Sequence, residues 1–310
     1  MFVELYAKTN IGRVRSGNED NFLVLDLSAP KAWTGTDGEA PPDEMRRFEI
    51  GPKGVVLVVS DGMGGALAGD VASRMAVETV RDMLAGDEET DGEAACEPDA
   101  PLVDCLKNAT DYANFAIHRK SQEDPRCSGM GATLTAAAVT TDGVSLLQVG
   151  DSRGYVIRGG QIKLATKDQS LVQQLVDVGQ ISEQEAETHM FRNVILQALG
   201  AQPELQPVTG RVRFFRGDIL LLCSDGLSGK LRSEDMLRIV TDSDGDLARA
   251  CEGLVDEANE RGGEDNITVV LARLTGEDLP SPDTDRITVE LPSEGDDTIG
   301  HEEDDTTERL

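Results

Sequence analysis

Three apolar runs in this 310-residue chain each end in an aspartate. Val55-Val-Leu-Val-Val-Ser60 runs into Asp61-Gly62, Val144-Ser-Leu-Leu-Gln-Val-Gly150 into Asp151-Ser-Arg153, and Ile219-Leu-Leu-Leu-Cys-Ser224 into Asp225-Gly226. Two other runs begin with acids. Glu19-Asp20 precede Asn21-Phe-Leu-Val-Leu25, and Asp265 precedes Asn266-Ile-Thr-Val-Val-Leu271. If the first set are strands running up a sheet and the second run down it, all these carboxylates reach one edge, as antiparallel neighbours require. Like charges at one rim repel, and desolvating them is costly unless something positive sits among them. No Lys/Arg cluster accompanies them, so a divalent cation is the natural compensator. The donors are oxygens only: carboxylates, and backbone carbonyls at Gly62 and Gly226. That set suits Mg2+ or Mn2+ rather than Zn2+. The histidines, His118, His189 and His301, lie away from the Asp-Gly turns in sequence. A single Asp-Gly is an ordinary tight turn, and Asp142-Gly143 reads as one. Two Ser-Asp-Gly triplets after apolar runs, with further acids at Asp151 and Asp265, read as a metal site.

Two features point to phosphate. Asp61-Gly-Met-Gly-Gly65 runs straight into a predicted helix at Ala66, and a glycine-rich turn before a helix presents backbone N–H groups to an anion. No Gly-Lys-Ser/Thr follows, so it is not a Walker A loop. Arg13 and Arg15 lie just before Asn18-Glu-Asp20. An arginine held near acids is a good fork for a phosphate monoester. Arg15 is the candidate for that role, and Arg13 reads as a surface ion pair.

The elements that must position these residues alternate in kind. Strands are predicted at 2–8, 21–27, 54–60, 132–140, 144–150, 154–158, 161–165, 211–215, 218–224 and 266–274. Helices are predicted at 66–84, 102–120, 170–178, 182–187 and 246–260. In the first, Val71, Met75, Val80 and Leu84 mark one apolar face. Short hairpins at 141–143 and 158–160 favour antiparallel sheets covered by helices. The Pro-rich stretch 28–53 reads as a surface insertion, and 86–101 as an acidic helix–helix loop. Residues 276–310 hold 13 acids and 2 bases, with prolines at 280, 282 and 292. They read as a disordered acidic tail on a folded unit of 1–275.

Composition excludes several classes. With 58 acids against 29 bases the net charge is −29, which argues against nucleic acid and against anionic lipid. No apolar run approaches the roughly 20 residues of a membrane span, and the first residues lack a signal-peptide pattern. Cysteines 96, 105, 127, 223 and 251 are odd in number and form no CxxC. Neither a disulfide framework nor a thiolate zinc site is expected, and the bland expectation is free thiols in a reducing cytoplasm.

Six motifs in order carry a family resemblance: Gly12-Arg-Val-Arg-Ser-Gly-Asn-Glu-Asp20, Ser60-Asp-Gly-Met-Gly-Gly65, Gly129-Met-Gly-Ala-Thr-Leu-Thr135, Val149-Gly-Asp-Ser-Arg153, Leu222-Cys-Ser-Asp-Gly-Leu227 and Gly263-Glu-Asp-Asn-Ile-Thr268. Together they resemble the PP2C-type metal-dependent protein Ser/Thr phosphatases in their compact bacterial branch. The resemblance covers residues from about 4 to 275. It implies an α+β fold, a four-layer αββα sandwich of two antiparallel sheets flanked by helices, with a flap subdomain over about 166–193.

It also implies roles. Asp61 would bridge two metals, with the Gly62 carbonyl on one of them. Asp225 and Asp265 would complete the first metal's shell. Glu19 and Asp20 would act through bound waters and by orienting Arg15, which would hold the substrate phosphate. Asp151, with Asp225, would hold a weaker third metal, and Asn193 on the flap could approach it. The implied reaction is hydrolysis of phosphoserine and phosphothreonine on proteins by direct attack of water, with no phosphoenzyme. A haloacid-dehalogenase-type mechanism needs a second Asp two residues after the first, and Met63 stands there.

The chain departs from the family pattern at three places. Ala66 stands where many bacterial members have His. Met63 stands where the eukaryotic branch has the proposed general acid, so no side-chain acid is assignable. Gln197 stands where relatives often have Arg. The implied partners are phosphorylated proteins and the Ser/Thr kinases that make them, and the implied enzyme is a cytoplasmic monomer. Two alternatives stay open: a non-catalytic phosphoprotein-binding regulator of the same fold, and the phosphatase of an anti-sigma partner-switching system.

Overall fold

The computed structural model describes residues 1–37, 40–86, 96, 100–282 and 284–291. In chain order the first elements are β1 Phe2–Asn10, β2 Asp20–Asp26, β3 Lys31–Thr34, α1 Asp43–Arg46, β4 Arg47–Glu49 and β5 Val55–Met63. Next come α2 Ala66–Ala85, α3 Leu102–Glu123, β6 Gly131–Ala132, β7 Leu134–Thr140, β8 Gly143–Val149, β9 Arg153–Arg158 and β10 Gln161–Leu164. The last are α4 Leu171–Asp177, α5 Glu183–Glu187, β11 Val208–Val212, β12 Ile219–Cys223, α6 Asp225–Ser228, α7 Ser233–Asp242, α8 Leu247–Glu260, β13 Ile267–Thr275 and β14 Val289–Glu290.

Strand β1 shows the period-two burial of a strand with one covered face: Val3, Leu5 and Ala7 point inward between half-buried neighbours. Strands β2 and β5 are buried almost throughout, because both of their faces are covered. Two antiparallel sheets account for this. One has the order β10-β9-β12-β13-β1-β4; the other follows β14-β11-β8-β7-β5-β2-β3, with β6 paired to β5. Val3, Leu5, Leu220 and Val270 of the first sheet pack against Phe22, Leu57, Ala137 and Leu146 of the second. The outer face of the second sheet, through Leu23, Val58 and Leu147, meets Ala72, Val80 and Ala109 on α2 and α3. The outer face of the first, through Leu221 and Val269, meets Ile239 and Leu254 on α7 and α8. The result is the expected four-layer αββα sandwich.

Sequence patterning misses several parts. Helix α7 was not expected, although Met236, Ile239 and Val240 give it a buried face. The 28–53 stretch is not merely an insertion. Strand β3 extends a sheet along β2, β4 pairs with β1, and Trp33, Met45 and Ile50 enter the core. Three widely spaced apolar residues create no periodicity, yet Trp33 alone fills a large volume edge-on to Phe22, with ring centroids 4.8 Å apart.

The expected tail also begins later than its composition suggests. Leu279 and Ile287 are buried between the sheets. The amine of Met1 donates to Asp278 at 3.0 Å. Arg216 donates to the carbonyls of Gly276, Glu277 and Leu279. Buried Arg158 pairs with Asp218 through bonds of 2.9 and 2.6 Å and also donates to the Arg286 carbonyl at 2.8 Å. β14 then pairs with β11. Residues 276–282 and 284–291 thus form a strap held by two apolar anchors and by arginine-to-carbonyl bonds, neither of which leaves a periodic signal. Residues 292–310, and most of the 86–101 loop, lie outside the described residues.

Cysteine arithmetic is corrected at one point: Cys96 and Cys105 form a disulfide, Cα atoms 4.8 Å apart, while Cys127, Cys223 and Cys251 are free and buried. A spacing of nine residues resembles no metal or redox motif, so nothing in the sequence marks the pair. Among the described residues no helix is long and apolar enough to cross a membrane.

The strap gives a test. Ending the chain after residue 275 removes the buried Leu279 and Ile287, each worth about 1.5–3 kcal/mol, so the urea midpoint should fall by the equivalent of about 3 kcal/mol or more. Ending it after residue 291 should leave the midpoint unchanged. A common midpoint for the two truncations would place 276–291 outside the folded unit.

Candidate active site

Register brings the first pair of carboxylates together: Asp20 and Asp61 are direct cross-strand partners of β2 and β5. Between β12 and β13, Cys223 faces Val269, which puts Asp225 just beyond the end of β12 at the same end as Asp265. Asp151 follows β8 on the same rim, where its charge and that of Asp225 act on each other. Gly62 continues β5 past Asp61, and a β-carbon there would overlap the Gly69 carbonyl at the start of α2, so only glycine admits the close strand–helix approach.

Neutral hydrogen bonds hold the rim. Thr133 accepts the Asp61 N–H at its hydroxyl (3.0 Å), donates its own N–H to the Asp61 carbonyl (2.8 Å), and shares a hydroxyl bond of 2.8 Å with Ser152. It therefore ties the Asp61 turn to the Asp151 turn. The Ser224 hydroxyl donates to Asp20 Oδ2 at 2.7 Å and accepts the Thr268 N–H at 3.0 Å. Asn266 donates to the carbonyls of Ile11 and Gly17 and accepts the Glu19 N–H at 2.7 Å. It pins the whole β1–β2 loop, which carries Arg15, to the start of β13. Sequence reading missed Thr133, Ser224 and Asn266 as positioning residues, although all three lie inside the quoted motifs.

Two cations adjoin the carboxylates. Arg15 donates to Asp265 Oδ2 at 2.7 Å and is 47 % exposed, so N–H groups remain open to a ligand. Its hydrogen-bond partner is Asp265, and neither Glu19 nor Asp20, which were expected to orient it, bonds to it. Arg153 was not expected; its charge opposes the protonation of both Asp151 and Asp225. Arg13 has no ion pair among the described residues, contrary to expectation, and bonds only through its N–H to the Gly263 carbonyl at 2.7 Å. Asn193 is exposed and, among the described residues, makes no bond to the rim.

The rim is electrostatically unstable by itself. Burial raises Asp61 well above the usual carboxylate range, and the charges of Asp20, Asp225, Asp151 and Asp265 add to the effect. Burial pushes Asp20 up to about 7 against the pull of the Ser224 and Thr268 hydrogen bonds. Asp151 is pushed up to about 8 by burial and then by Asp225 and Asp168. Asp225 is raised by burial and by Asp265, and Glu19 by burial. Buried oxygens of Asp20, Asp151 and Asp225 have no hydrogen-bond partner. Among the described residues no three acidic, His or Cys side chains close on one point. The unpartnered oxygens, the oxygen-only donor set and the shortage of local positive charge fit divalent cations of the Mg2+ or Mn2+ type.

A carboxyl that titrates higher folded than unfolded holds its proton more tightly when folded, so stability falls as pH rises from its unfolded value toward its folded one. Chelator-treated protein should therefore lose stability between pH 5 and 8, through the values near 7 and 8 of Asp20 and Asp151. Thermal melts across that range should show the loss, and excess Mn2+ should cancel it. Asp61→Asn should raise the chelated protein's stability at pH 8 by roughly 1 kcal/mol or more.

The chain is similar to known proteins over most of its length. The family model for protein phosphatase 2C matches residues 36–267. A serine/threonine phosphatase, stp, of Listeria innocua is 36% identical over 264 residues, 85% of this chain and 93% of that protein. The crystal structure of the Mycobacterium tuberculosis serine/threonine phosphatase PstP superposes with a TM-score of 0.70 at 32% identity, covering 89% of this chain and 100% of that one. The PstP catalytic domain in complex with two manganese ions gives a TM-score of 0.68 at 30% identity, covering 89% and 99%. Matched by the family model and by these relatives over most of its length, and folded as the same αββα sandwich, the chain belongs to the protein phosphatase 2C family.

Proposed function

We propose that the chain is a metal-dependent protein Ser/Thr phosphatase, hydrolysing phosphoserine and phosphothreonine with Mn2+ or Mg2+ held at the carboxylate rim. The observation that carries the reading is the set of unpartnered buried oxygens on Asp20, Asp151 and Asp225, at a rim that Arg15 borders. The two manganese ions of the PstP structure support it. In this reading Asp61, the Gly62 carbonyl, Asp225 and Asp265 would hold the ions, with Asp225 and Asp265 completing the first ion's ligand set, and Glu19 and Asp20 would act through bound water. Asp151 and Asp225 would hold a third ion, which Asn193 could approach. The substrates are phosphoproteins made by Ser/Thr kinases, and the site of action is the cytoplasm.

When bound, such ions polarise phosphoryl oxygens and make a coordinated water acidic enough to ionise near neutral pH. The chain's own residues orient the rest. Asp265 anchors the Arg15 guanidinium through one bond, and its free N–H groups take two phosphate oxygens as a fork. That fork aligns the phosphorus for in-line attack by water. The seryl or threonyl oxygen leaves, takes its proton from solvent, and inorganic phosphate departs. No side chain is phosphorylated. Thr133 keeps the Asp61 turn in register throughout, and Asn266 keeps the Arg15 loop from swinging away.

Asp61→Asn should lower Mn2+-dependent hydrolysis of p-nitrophenyl phosphate and of a phosphothreonine peptide by about a thousandfold, ~4 kcal/mol of barrier, with circular dichroism unchanged. Arg15→Ala should raise KM about tenfold, the worth of a charge-assisted fork. Near-normal turnover by Asp61→Asn would falsify the assignment.

A further inference from the structure

Helix α3 buries one side and leaves the other bare. Leu106, Ala109 and Ile117 pack with α2 and the second sheet. On the outer side stand two aromatic rings, Tyr112 at 44 % and Phe115 at 54 % exposure, with centroids 6.4 Å apart. Aromatic side chains are enriched at the centres of protein interfaces. Phe115 is also the middle of a row at four-residue spacing: Lys107, Asp111, Phe115, Arg119 and Glu123. All five are exposed, and residues four apart are neighbours on a helix face. Along the row the signs read plus, minus, ring, plus, minus. The Arg119 guanidinium lies over the Phe115 ring, 5.5 Å from its centroid, and approaches Glu123 only to 4.0 Å. Exposed ion pairs of that kind contribute little, so these side chains can change partner at small cost.

A half-turn about Phe115 converts this row into its own electrostatic complement. Asp111 comes opposite Arg119 of the second copy, and Lys107 opposite Glu123, each pair formed twice around a central contact of the two Phe115 rings. We propose that α3 is a self-pairing surface, on which a second copy of this chain docks antiparallel across a two-fold axis at Phe115. Such an interface is isologous and closes at two copies. The two rows run along each other when the helix axes cross at about 50°, and the five positions span about 24 Å at 1.5 Å per residue. Charge also selects the register. A slip of one turn either way sets Lys107 against Arg119, or Asp111 against Glu123, like charge on like. Net charge favours this face over others: the chain carries −29, so two copies repel wherever acids face acids, whereas this row sums to zero. Tyr112 widens the apolar centre, and the charges form a rim around it. One helix face is smaller than a standard interface of about 1,600 Å2, so the dimer is weak and depends on concentration. It departs from the monomer that the family resemblance implies.

Sedimentation velocity of the full chain over a wide concentration range tests the pairing, for wild type, Phe115→Ala, Asp111→Arg, Arg119→Asp and an equal mixture of the two charge variants. Thermal melts accompany each sample as a check of folding. Wild type should pass from monomer to dimer as concentration rises. Phe115→Ala should weaken the dimer about tenfold, the scale of an interface anchor. Each charge variant alone sets like charges together twice and should weaken it about tenfold or more. Their equal mixture should regain the dimer, because every pair across the mixed dimer is again of opposite sign. Ion pairs within one helix predict no such rescue. Lys107→Glu mixed with Glu123→Lys repeats the rescue at the outer pairs, and decides the matter if an inner variant does not fold. A wild type that stays monomeric up to about 1 mM overturns the proposal and leaves the face to a partner of another kind. A dimer untouched by Phe115→Ala, or a mixture no more associated than its two components, overturns it equally.

Discussion

Carboxylates that repel one another are the constraint on which the rest of this molecule depends. Asp20, Asp61, Asp151, Asp225 and Asp265 act on each other's ionisation, with two arginines, Arg15 and Arg153, as the near cations. The fold does not relieve the repulsion with lysines. It restrains the backbone with neutral groups, Thr133, Ser224 and Asn266, whose hydrogen bonds fix geometry without cancelling charge. Unspent negative charge is the attribute a site for hard cations needs, and the four-layer frame is rigid enough to hold it.

Why the charges meet at all is a matter of strand direction. β2 and β13 begin where β5, β8 and β12 end, and all their pairings are antiparallel. Each carboxylate occupies the residue just outside, or at the limit of, a buried strand, where backbone carbonyls are free and water can enter. The site straddles both sheets: Asp20 and Asp61 belong to one, and Asp225 and Asp265 flank strands of the other. Face-to-face packing of two sheets therefore sets the distance between halves of the site, and the apolar contacts of Phe22, Leu57, Leu220 and Val270 serve that spacing as well as stability.

Much of this was legible in the chain. Apolar runs with acids at consistent ends foretold both the antiparallel layers and the rim, because alternation and turn chemistry are local signals. What stayed hidden depended on distance. Asn266 reads as a strand-start residue until its partners, Ile11, Gly17 and Glu19, are seen beside it. Arg153 reads as part of a motif until Asp168 is found on its guanidinium. Trp33, Leu279 and Ile287 are lone apolar residues in polar stretches, and burial of single side chains leaves no period. Composition alone made residues 276–291 a tail, since it counts charge and cannot count the arginines waiting for their carbonyls.

The borders of the two sheets carry a consequence of their own. Among the described residues the four outermost strands, β3, β4, β10 and β14, are four residues or fewer. Each includes a charged side chain: Lys31, Arg47 and Glu49, Lys163, and Glu290. The long, apolar strands lie inside. A stranger's backbone seeking to zip onto either border finds a ladder too short and too charged to extend, so this acidic, strand-rich protein is guarded against fibrous self-association by the brevity of its margins.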